Sequence, residues 1–91
     1  MIESFTNKDL ENLFKKGYKK GLPPECIEKI RLRLEAIDSV SAIQNLRGLY
    51  GLHELSGNRK GTWSIKLTGN WRITFRFSDG AAHDVDIEDY H

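Results

Sequence analysis

From residue 63 onward the chain alternates apolar and polar side chains with period two, and this constrains the fold more than any other feature. Trp63, Ile65 and Leu67 alternate with Ser64, Lys66 and Thr68. Gly69 and Asn70 supply a turn, after which Trp71, Ile73, Phe75 and Phe77 alternate with Arg72, Thr74 and Arg76. Ser78, Asp79 and Gly80 supply a second turn, and Ala81, His83, Val85 and Ile87 then alternate with Ala82, Asp84, Asp86 and Glu88. Successive side chains of a strand point to opposite faces, so this is an antiparallel meander with one apolar and one polar face. Residues 49–55 predict a further strand ahead of it. An apolar sheet face has to be covered, and the first half of the chain must supply the cover.

The N-terminal half has helical periodicity. Residues 2–5 read as a short strand, and Thr6 and Asp9 are spaced as a capping box for the helix that follows. Leu10, Leu13 and Phe14 form the buried stripe of that helix, with Lys15, Lys16, Lys19 and Lys20 gathered at its end, where cations complement the helix dipole. Gly17 and Gly21 weaken this end, and Pro23 and Pro24 open a second helix. Its apolar face is Ile27, Ile30, Leu34 and Ile37, with Arg31, Arg33 and Glu35 turned to water, and it ends near Asp38 and Ser39. A further helical turn is expected at residues 41–43. The expected fold is α+β, two N-terminal helices packed on one face of a small antiparallel β-sheet, in a single domain spanning residues 1–91. Residues 56–61 read as a mobile loop.

With 38% hydrophobic and 30% charged residues the composition is that of a soluble globular chain. No apolar run approaches the roughly 20 residues that span a bilayer, and the N-terminus lacks a signal-peptide pattern, so a cytoplasmic protein without a membrane partner is expected. The single cysteine, Cys26, falls in a helical apolar pattern and reads as a buried small hydrophobe. Charge is unevenly distributed. Residues 1–78 hold all 14 Lys and Arg against eight acids, while the tail has Asp79, Asp84, Asp86, Glu88 and Asp89 with no Lys or Arg. Arg59, Lys60, Lys66, Arg72 and Arg76 lie in an acid-free stretch and are candidate contacts to a phosphate-bearing partner. Pairing of the basic and acidic blocks across neighbouring strands accounts for the same pattern.

The alternation also limits where chemistry can sit. With Trp71, Ile73, Phe75 and Phe77 facing the helices, Arg72, Thr74 and Arg76 face the open side, which is either a bed for RNA or a solvated face. Of three histidines, His83 shares the parity of Val85 and Ile87 and reads as structural. His53 closes a strand just ahead of the basic loop, and His91 ends the chain after Asp89 and Tyr90. No H-x-x-x-H or C-x-x-C spacing occurs and no glycine-rich loop opens a helix, so neither a metal site nor a cofactor is expected. Two imidazoles that titrate near neutrality and guanidinium groups that stabilise negative charge are the components of metal-free RNA cleavage.

Several runs carry a family resemblance. They are Leu52-His53-Glu54-Leu55-Ser56-Gly57-Asn58-Arg59-Lys60-Gly61, Trp63-Ser64-Ile65, Asn70-Trp71-Arg72-Ile73-Thr74-Phe75 and the final Glu88-Asp89-Tyr90-His91. Together with Met1-Ile2-Glu3-Ser4-Phe5 and Arg33-Leu34-Glu35-Ala36-Ile37-Asp38, and in this order, the chain resembles HigB toxins of the RelE/ParE superfamily over nearly its whole length. The resemblance implies a RelE-like microbial RNase fold and a ribosome-dependent endoribonuclease that cuts mRNA in the ribosomal A site. It also implies a HigA-type helix-turn-helix antitoxin, through which alone operator DNA would be contacted. The family's functional positions fall on His53, Arg72, Asp89, Tyr90 and His91, while a lysine present in some relatives is Ser56 here, with Arg59 or Lys60 as substitutes.

The implied reaction is attack by a ribose 2′-hydroxyl to give a 2′,3′-cyclic phosphate. His53 and His91 would be base and acid in either order, Arg72 would stabilise the phosphorane, Asp89 would orient His91, and Tyr90 would stack on the base. A ParE-like gyrase inhibitor, a ribosome-independent ribonuclease and a plain RNA-binding module using Trp63, Trp71 and Tyr90 are the alternatives. The last is disfavoured because Trp63 and Trp71 share the parity of the core.

Overall fold

The computed structural model describes residues 1–89. Helix α1 (Lys8–Lys16) and helix α2 (Ile27–Ser39) precede strands β1 (His53–Glu54), β2 (Thr62–Lys66), β3 (Trp71–Ser78) and β4 (Ala81–Asp89), with short 3-10 turns at Pro24–Cys26, Ile43–Leu46 and Gly57–Arg59. The architecture is α+β, as expected. The cap of α1 is Asn7, not Thr6: its backbone is extended and its side chain accepts the Leu10 N–H at 3.0 Å. The Thr6 and Asn7 N–H groups both bond to the Val85 carbonyl, at 2.9 and 3.4 Å, as the N-terminal segment runs along β4. Gly17 ends α1 at φ +75°, a left-handed conformation that returns its N–H to Leu13. In α2, Ile30, Leu34 and Ile37 are fully buried and Ile27 is half-buried, which is the apolar face read from the spacing.

The sheet has the order β1-β2-β3-β4, antiparallel throughout. Asp79 and Gly80, both at positive φ, form the two-residue turn between β3 and β4, whose twist suits a tight hairpin. Residues 2 and 5 bridge Ala82 and Val85 in parallel and cover the outer edge of β4. The strand expected over residues 49–55 shrinks to His53–Glu54. Gly48, Tyr50 and Gly51 all lie at positive φ, and the Leu49 and Leu52 N–H groups bond back to the Leu46 and Leu49 carbonyls. Such a run of turns is incompatible with an extended ladder.

One irregularity reverses an expectation. Thr74 lies opposite Asp86 but Arg76 lies opposite His83, so two residues of β4, Asp84 and Val85, face the single Phe75. This is a β-bulge, and Asp84 takes φ +54° within it. The extra residue shifts the parity of everything before it: Ala82 becomes fully buried against the helices, and His83 moves to the open face beside Arg76 instead of sharing the side of Val85 and Ile87. A methyl group fits beneath Phe77, its cross-strand partner, where an imidazole would be desolvated.

The core is Phe75 with Leu10, Ile30, Leu34, Ile37, Leu46, Ile65, Ile73 and Val85, and Cys26 is buried in it. Arg33 is a second departure. Arg31 and Glu35 are exposed, but Arg33 is half-buried with its guanidinium carbon 3.8 Å from the centre of the Tyr50 ring. Residues 56–61, expected to be mobile, contain the Gly57–Arg59 turn, and Arg59 is tied across the sheet. Among the described residues no helix is long and apolar enough to cross a membrane.

Candidate active site

Cross-strand pairs share a sheet face, so the register lays out the open side as rows. One row is His53, Ser64, Thr74 and Asp86; a second is Lys66, Arg72 and Glu88; a third is Thr62, Arg76 and His83. Ser64 and Thr74 are each only 2% exposed, so they form the floor of a concave face whose walls are charged. Their burial on the side opposite the helices shows that the surrounding side chains close over them.

Glu88 organises this face. Arg59 reaches over from the β1–β2 connection and forms a two-pronged pair with it, at 2.9 and 2.6 Å. Arg72 donates to the same carboxylate at 3.2 Å, and the Thr74 hydroxyl donates at 2.7 Å. Hydrogen bonding from Arg59 holds the Glu88 carboxyl down at about 2, assisted by Thr74 and Arg72 and opposed by burial. The same bond raises the Arg59 guanidinium above its ordinary value. The forked Arg59 pair fixes the plane of the Glu88 carboxylate, and Arg72, 18% exposed at its side chain, makes a single contact to that fixed carboxylate at the edge of the face.

Beside this network lies a cleft of about 200 Å³, lined by Gly51, His53, Ser64, Lys66, Thr68, Gly69, Trp71 and Arg72. It gathers an imidazole, an ammonium and a guanidinium around one space. The His53 Nδ1 sits 3.0 Å from the Gly51 carbonyl oxygen. A carbonyl only accepts, so Nδ1 carries the proton, and in the neutral ring Nε2 keeps its lone pair. Such a ring can take a proton from a group bound in the cleft.

A scan against family models matches residues 3–91 to the HigB-like toxins, described as the RelE-like toxin of type II toxin–antitoxin system HigB. The chain belongs to this HigB-like family. Membership of a type II toxin–antitoxin family makes an antitoxin its partner. It is 48% identical over 92 residues to the Endoribonuclease HigB of Proteus vulgaris, covering all of both chains. It is also 34% identical over 91 residues to Toxin HigB-1 of Vibrio cholerae, covering 97% of this chain and 96% of that one. Among solved structures, a conserved hypothetical protein of Helicobacter pylori matches with a TM-score of 0.50 at 15% identity, covering 96% of this chain and 94% of that one, a likeness of fold alone.

Of the residues singled out in the sequence, His53, Lys66 and Arg72 come together in the cleft. Arg59 is drawn to Glu88, so for Arg59 and Arg72 the basic stretch and the acidic tail do pair across the sheet. Arg76 lies in the outer row, where Gly61 leaves room for it: a Cβ there would come within 3.0 Å of the Arg76 guanidinium. Lys60 is exposed in the loop, and Ser56 is exposed just before the 3-10 turn. Asp89 ends β4 opposite Trp71 and is exposed. Tyr90 and His91 lie outside the described residues. Trp63 and Trp71 pack against the core as their parity predicts, but Trp71 also lines the cleft. Glu88, Ser64 and Thr74 receive no functional role from the sequence, although Thr74 is expected on the open face beside Arg72 and Arg76. The signal for Glu88 is its place opposite Arg72, which becomes visible only once the bulge sets the register.

Proposed function

We propose that this chain is a ribosome-dependent endoribonuclease that cleaves translated mRNA in the cytoplasm and is silenced by a HigA-type helix-turn-helix antitoxin. The observation that carries the reading is the convergence of His53, Lys66 and Arg72 on one cleft, in a chain 48% identical to a protein named an endoribonuclease.

In the proposed reaction His53 Nε2 removes the proton of a ribose 2′-hydroxyl, whose oxygen then bonds to the adjacent phosphorus. Arg72, aligned by Glu88, neutralises the charge that grows on the phosphoryl oxygens, and Lys66 holds a neighbouring phosphate. The bond from phosphorus to the 5′-oxygen breaks, and a proton from His91 goes to that oxygen, leaving a 2′,3′-cyclic phosphate and a 5′-hydroxyl. Asp89 orients His91, and Tyr90 stacks on the base at the cut. No metal ion takes part. The tautomer imposed by Gly51 supports His53 as the base, which assigns the acid to His91. Arg59, Lys60 and Arg76 contact RNA or ribosome, with Arg59 or Lys60 in place of the lysine that some relatives have at position 56. Operator DNA is reached only through the antitoxin.

A small set of catalytic groups implies that the ribosome supplies substrate orientation. Primer extension on translated mRNA after induction tests the reading, with and without a co-expressed antitoxin. Cleavage within codons, relieved by the antitoxin and absent from naked mRNA, is the expected result. Efficient cutting of naked mRNA would make this a stand-alone ribonuclease, and gyrase-dependent DNA damage with intact mRNA would replace cleavage by inhibitory binding.

A further inference from the structure

The carbonyl that fixes His53 belongs to an unusual stretch of backbone. Gly48, Tyr50 and Gly51 all adopt positive φ, and of these Tyr50, at +52°, has a Cβ that disfavours that conformation. Something outside the loop has to hold it there. Arg33 of α2 does so from the helical layer. Its guanidinium carbon lies 3.8 Å from the centre of the Tyr50 ring, close enough for a cation–π contact, and its Nε donates to the Lys66 carbonyl at 3.3 Å. The Lys66 N–H in turn donates to the Tyr50 carbonyl at 2.8 Å. Arg33 thus joins the loop to the end of β2. One residue past Tyr50, the Gly51 carbonyl meets His53 Nδ1, and Gly51, His53 and Lys66 all line the cleft.

We propose that Arg33 and Tyr50 are positioning residues that hold the 48–52 loop in the one conformation presenting the Gly51 carbonyl to His53, thereby fixing both the imidazole tautomer and the place of Lys66. The inference rests on the cleavage reading for its catalytic meaning, but the coupling itself is physical and is read without any RNA. Arg33 does not line the cleft; it acts through the Tyr50 ring and the Lys66 carbonyl. With the ring unclamped, Tyr50 relaxes toward negative φ, the Gly51 carbonyl turns away, and the imidazole proton is free to move to Nε2, the atom that has to accept the substrate proton.

The test uses ¹⁵N-histidine-labelled full-length protein, released from its antitoxin, and long-range ¹H–¹⁵N correlation spectra at a pH where the ring is neutral. His53 of the unaltered protein should show the Nδ1–H form. Arg33→Ala and Tyr50→Leu should shift it to a mixture of tautomers, while Tyr50→Phe, which keeps the ring, should preserve it. On programmed ribosomes the first two variants should lose about tenfold in kcat with KM nearly unchanged, as expected when a group is misaligned and binding is kept. Tyr50→Phe should retain full activity. If Arg33→Ala does not fold, Tyr50→Leu carries the same reading. An unchanged His53 tautomer in a folded Arg33→Ala or Tyr50→Leu variant overturns the proposal. If the unaltered protein cuts no RNA, the cleavage reading fails while a tautomer shift still supports the clamp.

Discussion

Replacing Glu88 with Gln removes the charge on which Arg59 and Arg72 converge but leaves the shape nearly intact, so it isolates the electrostatic role of the open face. The carboxyl is held at about 2 against an ordinary value of 4.5, a gap that corresponds to about 3.4 kcal/mol of preference for the charged form in the folded chain. The Arg59 side chain is 41% exposed and Glu88 22%, so water screening reduces the figure, and about 2–3 kcal/mol is expected. Because folding lowers this pKa, the contribution is fully present above about pH 4.5 and is lost as pH falls toward 2. At pH 7, Glu88→Gln should therefore lower Tm by roughly 10–20 °C in a chain of this size. The gap between the two proteins should shrink to less than half by about pH 3. Urea titrations followed by tryptophan fluorescence at pH 7, 5 and 3 measure it directly, with the difference between the two proteins cancelling the titration of the other carboxylates. A gap that stays constant from pH 5 to pH 3 would refute the argument, since the lost interaction would not then depend on the charge of Glu88.

Other consequences follow from the same geometry. His53→Asn removes the Nε2 lone pair from an exposed ring, so cleavage on ribosomes should fall by at least about 10²-fold with Tm unchanged, read by primer extension and thermal melts. Arg72→Lys keeps the charge but loses the planar fork, and kcat should fall about 10²-fold or more in single-turnover cleavage. At the bulge, Asp84→Val should cost about 1–2 kcal/mol because a branched side chain resists φ +54°, whereas Asp84→Gly should be tolerated, as denaturant midpoints would show.

The parts of the fold that repeat were legible in the sequence. Ile30, Leu34 and Ile37 announce a helix face by spacing alone, and the alternation in β2 and β3 assigns both sheet faces correctly. Features that turn on a choice between near-equal neighbours were not. Asn7 and Thr6 are both good caps, and the choice depends on where the N-terminal segment leaves β4, to which Thr6 is bonded at Val85, 79 positions along the chain. Gly48 and Gly51 suggest turns, but a left-handed Tyr50 has no local signature, so the strand expected from residue 49 begins only at His53. The stacking of Arg33 on Tyr50 likewise depends on how α2 lies over the loop. For the site, the resemblance named His53 and Arg72 and the parity of β3 put Arg72 on the open face. The gathering of Arg59, Arg72 and Thr74 around Glu88 depends on register, which local alternation cannot supply.

The bulge at Asp84 also governs how this strand can change length over evolution. Because Asp84 is the surplus residue of its ladder, losing it would leave Arg76 opposite His83, Thr74 opposite Asp86 and Arg72 opposite Glu88, with both faces of β4 intact relative to β3. A one-residue deletion between positions 85 and 88 has the opposite result. With the bulge kept, it exchanges the two faces beyond the gap and turns the carboxylate that secures Arg72 toward the helices. Within β4, position 84 is the place where a gap in a relative is compatible with an unchanged site, and gaps a few residues later mark chains that have reorganised or abandoned it.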